Sequence, residues 1–309
     1  FREEIIYYQK QGEFQNNLQN LFKKSKRSFY LIQFSFCGEI IIHEGTLYIE
    51  DHLFFNQNIT KITIPISVTH IFNNAFDQCH QLTKVNLNCV KLEQLGKNAF
   101  ANCENLVDIN LPKSLKVIEY RTFYNCSKLK KIDFPPGLTK ISDEAFSKCE
   151  SLESVILPPS IKTIGSAAFN ECFEIKKVII PNVVEIYDDK PKKEVEQPPE
   201  QEEARPQSKS KSEESEKNVF VISPQCFYKC KKLQFIEFSK NSKITVKKQA
   251  FSKCKKLSCL IINVNENIFG EEAFSDCQNL DKVNFIVKKG SSLELGNSSF
   301  NGCISLVEV

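Results

Sequence analysis

Apolar residues return along this chain at a fixed interval of about 23 residues, and the interval is the first thing the sequence says about its fold. Cysteines fall at Cys79, Cys103, Cys126, Cys149 and Cys172, and again at Cys230, Cys254, Cys277 and Cys303. Three residues before each stands a phenylalanine: Phe76, Phe100, Phe123, Phe146, Phe169, Phe227, Phe251, Phe274 and Phe300. Three residues after each stands Leu82, Leu106, Leu129, Leu152, Ile175, Leu233, Leu257, Leu280 or Leu306. The best copies read I-x-x-x-[AT]-F-x-x-C-x-x-L-x-x-[IV]-x-[LF]-P, as in Ile141 to Pro158, and a degenerate copy places Leu53, Asn56, Ile59, Ile62, Ile64 and Pro65 in matching slots. Atypical terminal copies are the rule where repeats stack, because they cap the core.

The spacing within one copy predicts its local structure. The L-x-x-[IV]-x-[LF] stretch ends in period-two alternation, which gives a short strand with one face inward. The Ala-Phe-x-x-Cys-x-x-Leu stretch puts apolar groups at i, i+3 and i+6, which suits one tight helical or 3₁₀ turn. A second apolar pair, such as Leu115/Ile118, Leu138/Ile141 and Ile161/Ile164, marks a second extended segment after the proline. One such coil leaves its apolar side wet, whereas stacking coils at the strand spacing buries that side continuously. The expected fold is therefore an α/β solenoid, β-dominated, with parallel sheets and short helical or 3₁₀ corners. Pro65, Pro112, Pro135, Pro158 and Pro181 end their strands, since proline supplies no ladder donor.

These units resemble the BspA-like class of leucine-rich repeats, on the combined evidence of the period, the Ala-Phe-x-x-Cys core and the terminal proline. The resemblance covers residues 50–186 and 220–309. It implies a macromolecule-binding protein of adhesion or surface-antigen type, facing host or matrix proteins at a cell surface, and it brings no catalytic residues to carry over. The chain departs from the class in showing no leader or anchor and in carrying a charged insertion.

Outside the repeats, residues 1–49 are expected to form a cap, with a helix on Leu18, Leu21 and Phe22 and a hairpin joining Ile40–Ile42 to Thr46–Ile49 around Glu44-Gly45. Residues 187–219 are almost pure Lys, Glu, Pro, Gln and Ser and cannot bury enough apolar area to fold. They read as a loop extruded from one solenoid that continues over 220–309. Loop-closure entropy tolerates this, at about 0.6 kcal/mol per doubling of length. The loop is a spacer or, because serines lie among its charges, a phosphorylatable tether. The chain starts at Phe1, contains no methionine, and stops inside a repeat at Val309, so further sequence is expected at both ends.

Charge and composition narrow the function. With 41 basic and 38 acidic residues the net charge is +3, so no global field recruits nucleic acid or an anionic membrane. The longest apolar runs, such as Ile40–Ile42 and Leu260–Ile262, are strand-sized, and no membrane contact is expected within this segment. The cysteine ladder reads as a layer of free thiols, since a rung can pair with only one neighbour and a thiol packs as a small hydrophobe. Cys226/Cys230 and Cys254/Cys259 have loose zinc spacing, but Phe227 and Leu257 between them are core positions, so no metal is assigned. His43, His52, His70 and His80 are dispersed, and no Ser/His/Asp or Cys/His grouping recurs. No cofactor and no catalysis are expected.

What remains is surface. The outward strand positions, in order, are Asn86, Asn110, Asp133, Ile156, Ile179, Glu237, Ile261 and Asn284. Ile156 and Ile179 should be neighbours, with Lys131 and Lys177 alongside and Ile261 further along. An apolar spot rimmed by charge marks a protein-binding site. Lysines crowd the later repeats, and Lys231, Lys232, Lys255 and Lys256 should gather into a basic ridge suited to an acidic protein or glycan. No interleaved aromatics support nucleic acid there. Cys259 points outward on this register and is the candidate reactive thiol. An intracellular scaffold with a regulatory loop is the alternative, which reduced thiols and the charged serine tract favour.

Overall fold

The computed structural model describes residues 32–34, 38–87, 91–180, 219–238, 243–264, 267–287 and 292–307. The helix expected near Leu18, the thiols Cys37 and Cys89, and residues 187–218 of the insertion lie outside them. The described residues form a parallel β-solenoid with two strand-bearing sides and a turn side.

The first side carries Glu39–Ile42, Lys61–Ile64, Lys84–Leu87 and Asp108–Ile109, then Ser154–Ile156, Lys177–Ile179, Phe235–Glu237, Cys259–Val264 and Lys282–Val287. Registers align Ile62 with Val85 and Ile109, and Val155 with Val178, Ile236, Leu260 and Val283, so one inward row fills the core. The second side runs from Tyr48–Ile49 through His70–Ile71 to Gln94–Leu95, then from Val117–Ile118 to Leu293–Leu295, with Ile118, Ile141, Ile164, Ile222, Val246 and Phe269 facing inward. Each residue meets its counterpart one repeat later, which is why the pairing is parallel.

The turn side differs from the sequence expectation: no helix or 3₁₀ segment forms there among the described residues. Left-handed residues four apart bracket each ladder phenylalanine, as Asn98 and Asn102 do Phe100 and as Glu144 and Lys148 do Phe146. The N–H groups of Asn98, Phe100 and Asn102 donate to the carbonyls of Tyr120, Thr122 and Tyr124 in the next coil, at 2.7–3.0 Å. A helix spends these donors within its own turns. Here they hold coil to coil, and the i, i+3, i+6 spacing comes instead from two successive tight turns, Cys103 N–H to Phe100 O and Leu106 N–H to Cys103 O.

Inside that side the phenylalanines stack from Phe54 to Phe300, adjacent ring centroids 4.9–5.7 Å apart and ring planes nearly parallel. Each ladder thiol donates to the carbonyl of the phenylalanine one coil back: Cys126 Sγ to Phe100 O at 3.2 Å and Cys149 Sγ to Phe123 O at 3.2 Å. Phe100 O already accepts the Cys103 N–H, so the thiol uses its second lone pair. Cysteine thus fills the layer and adds a donor that alanine lacks.

The hairpin expected around Gly45 does not form. Glu39–Ile42 pairs in parallel with Lys61–Ile64 and antiparallel with Ile32–Phe34, while Tyr48–Ile49 pairs with His70–Ile71 on the other side. Ile40, Ile42 and Ile49 are buried in the slots that Ile62, Ile64 and Ile71 fill one coil later, so residues 39–49 belong to the first coil and not to a cap. Val219, reckoned with the insertion, is already in the strand Val219–Ile222. That strand pairs with Thr163–Ile164, and Phe227 stacks on Phe169 at 5.2 Å, so the coils on either side of the insertion are direct neighbours.

Candidate functional surface

Two outward rows run along the later part of the first sheet. One contains Ser154, Lys177, Phe235, Cys259 and Lys282; the other contains Ile156, Ile179, Glu237, Ile261 and Asn284. Ile156 and Ile179 are paired neighbours, and Ile261 lies one strand beyond Glu237. Ile156, Phe235 and Ile261 expose 57, 56 and 51% of their surface, and Ile179 is half-buried beside them. Phe235 is a further member of the surface beyond those expected from the sequence; the alternation that turns Lys177 and Cys259 outward places it there too. Ile286, on the extension of the last long strand, is also exposed.

The charges beside these side chains are internally paired. Lys177 Nζ lies 3.7 Å from Glu237 Oε2, bridging the gap between Ile179 and Ile261. Lys131 is bound to Asp133 at 2.8 Å in the coil before Ile156, where residues 131–133 enter no ladder, so the sheet is interrupted there. Asp133 holds the Lys131 ammonium above its ordinary range. These pairs are solvent-exposed, so water and salt screen them and they add little to stability. The patch is therefore apolar at its centre and close to neutral at its rim.

Lys231, Lys232, Lys255 and Lys256 occupy the two positions after the ladder cysteine in adjacent coils, all exposed. The charge of this corner is reduced by ion pairs to the preceding coil, Lys232 with Glu174 at 2.8 Å and Lys229 with Glu171 at 2.7 Å. Lys231 lies over the Phe173 ring at 4.3 Å. A ridge exists, but it is a mixed one.

Burial holds the inner ladder thiols protonated, while contact with Cys277 lowers the half-buried Cys303 in the last coil. Desolvation pushes Cys79 up to about 12 and holds Cys103, Cys126, Cys172 and Cys254 well above their ordinary range. Cys226, taking the alanine slot before Phe227, is raised by the same burial. Cys259, at the edge of the apolar patch, is half-buried. Among the described residues no group of three or more His, Cys, Asp or Glu side chains could hold a metal ion, and no helix is long and apolar enough to cross a membrane.

A family model described as the BspA type leucine rich repeat region, in six copies, matches residues 14–93, 88–190 and 206–309. No curated protein matches the chain. Among solved structures the chain is similar to the T. pallidum leucine rich repeat protein, at 21% identity over 74% of this chain and 88% of that one, TM-score 0.43. A leucine rich cell surface protein from Faecalibacterium prausnitzii A2-165 is similar at 18% identity over 92% and 93%, TM-score 0.38. The pneumococcal vaccine antigen PcpA is similar at 17% identity over 88% and 84%, TM-score 0.40.

Proposed function

The chain belongs to the BspA-type leucine-rich-repeat family, and from that premise we propose that it is a non-enzymatic module that captures a protein partner, as an adhesion or surface-antigen type protein does. The observation that carries this reading is the joint exposure of Ile156, Phe235 and Ile261 on strands of one sheet. Large apolar side chains are normally withdrawn from water, and a cluster of them on a rigid sheet with a polar rim has the anatomy of an interface core. The rigid platform lowers the ordering cost of binding. Phe235 is the anchor, because aromatic residues at patch centres carry disproportionate binding energy. The mixed ridge of Lys231, Lys232, Lys255 and Lys256 assists an acidic partner by steering, which raises association rate and salt sensitivity more than affinity.

The test compares partner capture from host-cell or matrix extracts by the parent chain and by Phe235→Asp, Ile156→Asp and Ile261→Asp, with circular dichroism confirming the fold. Proteins enriched by the parent should be lost at least tenfold in the Phe235 variant. Equal enrichment by all four chains removes this face from the function. A second reading, an intracellular scaffold, is favoured by one observation: the ladder cysteines are free. Disulfides are the usual state of exposed extracellular thiols, and a buried free ladder sits equally well in a reducing compartment. Surface biotinylation of intact source cells separates the two readings.

A further inference from the structure

A second, unrelated surface departs from the repeat at the other end of the solenoid and on the other sheet. Its outward positions carry Tyr48 and His70, paired across adjacent strands, and Phe72, two residues after His70. The three rings pack together at angles to one another, Tyr48–His70 edge-on at 5.4 Å and 66°, Tyr48–Phe72 at 6.1 Å and 34°, and His70–Phe72 at 5.7 Å and 34°. Tyr48 nonetheless exposes 42% of its surface, and His70 and Phe72 are half-buried. Later coils put Val117, Lys140 and Thr163 where Tyr48 and His70 stand, so the solenoid does not require rings there.

Polar groups surround the rings in a defined arrangement. Thr69 Oγ1 lies 3.2 Å from Leu47 O and 2.8 Å from His70 Nδ1, so the hydroxyl fixes the orientation of the imidazole. His70 Nε2 is turned towards Glu93, whose Oε2 is 3.9 Å away. Gln94 pairs with His70 on the next strand and adds an amide donor and acceptor. Glu50 follows the Ile49–Ile71 pair on the strand beside Phe72, so the rim is acidic.

Three chemistries can use exposed rings, and the geometry separates them. A quaternary ammonium needs rings standing apart as walls, but these rings touch one another and leave no gap. A nucleotide or acidic sugar needs cations, and the rim carries Glu93 and Glu50 instead. A neutral sugar needs a flat apolar surface about one ring wide for its C–H face and mixed donors and acceptors for its hydroxyls. We propose that Tyr48, His70 and Phe72 form a binding platform for a neutral glycan, one pyranose face resting on the exposed Tyr48 ring, which the other two rings buttress, while Glu93, Gln94 and His70 Nε2 engage its hydroxyl groups.

The experiment is saturation-transfer NMR on the full chain with cellotetraose, N-acetyllactosamine and chitotriose, each at about 10 mM, where weak millimolar binding is readable. At least one sugar should receive saturation on the C–H groups of a single ring. Its affinity should fall about tenfold in Tyr48→Ala and in Phe72→Ala, the loss of one ring's contact. Tyr48→Leu, which keeps apolar bulk for folding but removes the ring, should lose binding as well. Phe235→Asp, on the other sheet, should leave sugar binding unchanged, so failure here and failure of the protein-binding reading are separate results. The proposal is overturned by absence of transfer to all three sugars, by undiminished binding in the Tyr48/Phe72 double variant, or by stronger binding of glucose 6-phosphate than of the neutral sugars.

Discussion

Raising the pH above 9 tests the thiol core directly, because burial holds the inner ladder thiols protonated in the folded chain while the unfolded chain releases their protons. Burial raises Cys79, Cys103, Cys126, Cys149, Cys172, Cys226, Cys230 and Cys254, and in Cys277 contact with the Cys303 thiol comes first and burial second. An ordinary thiol releases its proton near 9.0, so above that pH the unfolded state binds fewer protons than the native state. Stability then falls as pH rises, and continues to fall until the native thiols themselves ionise. At pH 10 each of the seven thiols held furthest above its ordinary range, Cys79, Cys103, Cys126, Cys149, Cys172, Cys226 and Cys254, removes on the order of 1 kcal/mol, and together they remove on the order of 10 kcal/mol. That is comparable with the whole stability of a typical domain, about 5–15 kcal/mol. We therefore expect a steep loss of structure between about pH 9 and pH 10.5. Circular dichroism and ultraviolet thiolate absorbance, followed together under anaerobic conditions, should change in one coincident transition. Cys126→Ala should make the transition shallower while lowering stability at neutral pH. A sheet signal intact at about pH 11, or thiolates of the buried ladder positions forming inside an intact fold, would refute the reasoning.

Two further expectations concern the stack. Phe146 lies between Phe123 and Phe169 and meets Phe134 edge-on, whereas Phe300 stacks on Phe274 alone and is half-buried. Phe146→Ala should cost about 4–5 kcal/mol and Phe300→Ala about 1–2 kcal/mol in chemical denaturation, and equal costs would deny the ladder its role. A Cβ at Gly165 would lie 2.3 Å from the backbone nitrogen of Asp143, while one at Gly137 would meet only the mobile end of Lys116. Gly165→Ala should lower stability by about 2 kcal/mol and Gly137→Ala by under about 0.5 kcal/mol, read from melting temperatures.

The site was partly legible before the structure. Ile156 and Ile179 stand side by side because both the repeat period and the strand alternation are explicit in the residues. Phe235 was equally legible, since the strand alternation that turns Lys177 and Cys259 outward does the same for it. Pairings such as Lys232 with Glu174 were not legible, because the two residues are separated by the insertion and meet only when the coils on either side of it stack. The Tyr48, His70 and Phe72 cluster was hidden for a related reason. In the sequence Tyr48 reads as part of a hairpin, His70 as one of four dispersed histidines and Phe72 as nothing in particular, and only the parallel pairing of Tyr48 with His70 unites them.

By itself the sequence determined the repeat, its inward slots and the free thiol ladder, because side-chain spacing along a chain dictates which groups must leave water together. The tertiary structure decided the form of the corners, since an i, i+3, i+6 pattern fits a helix and a pair of tight turns alike. The choice lies in where the backbone N–H groups find acceptors, and here the Phe100 N–H finds Thr122 O, one coil away. It also decided that residues 39–49 open the solenoid, because only the buried positions of Ile40 and Ile49 show which neighbours they shield.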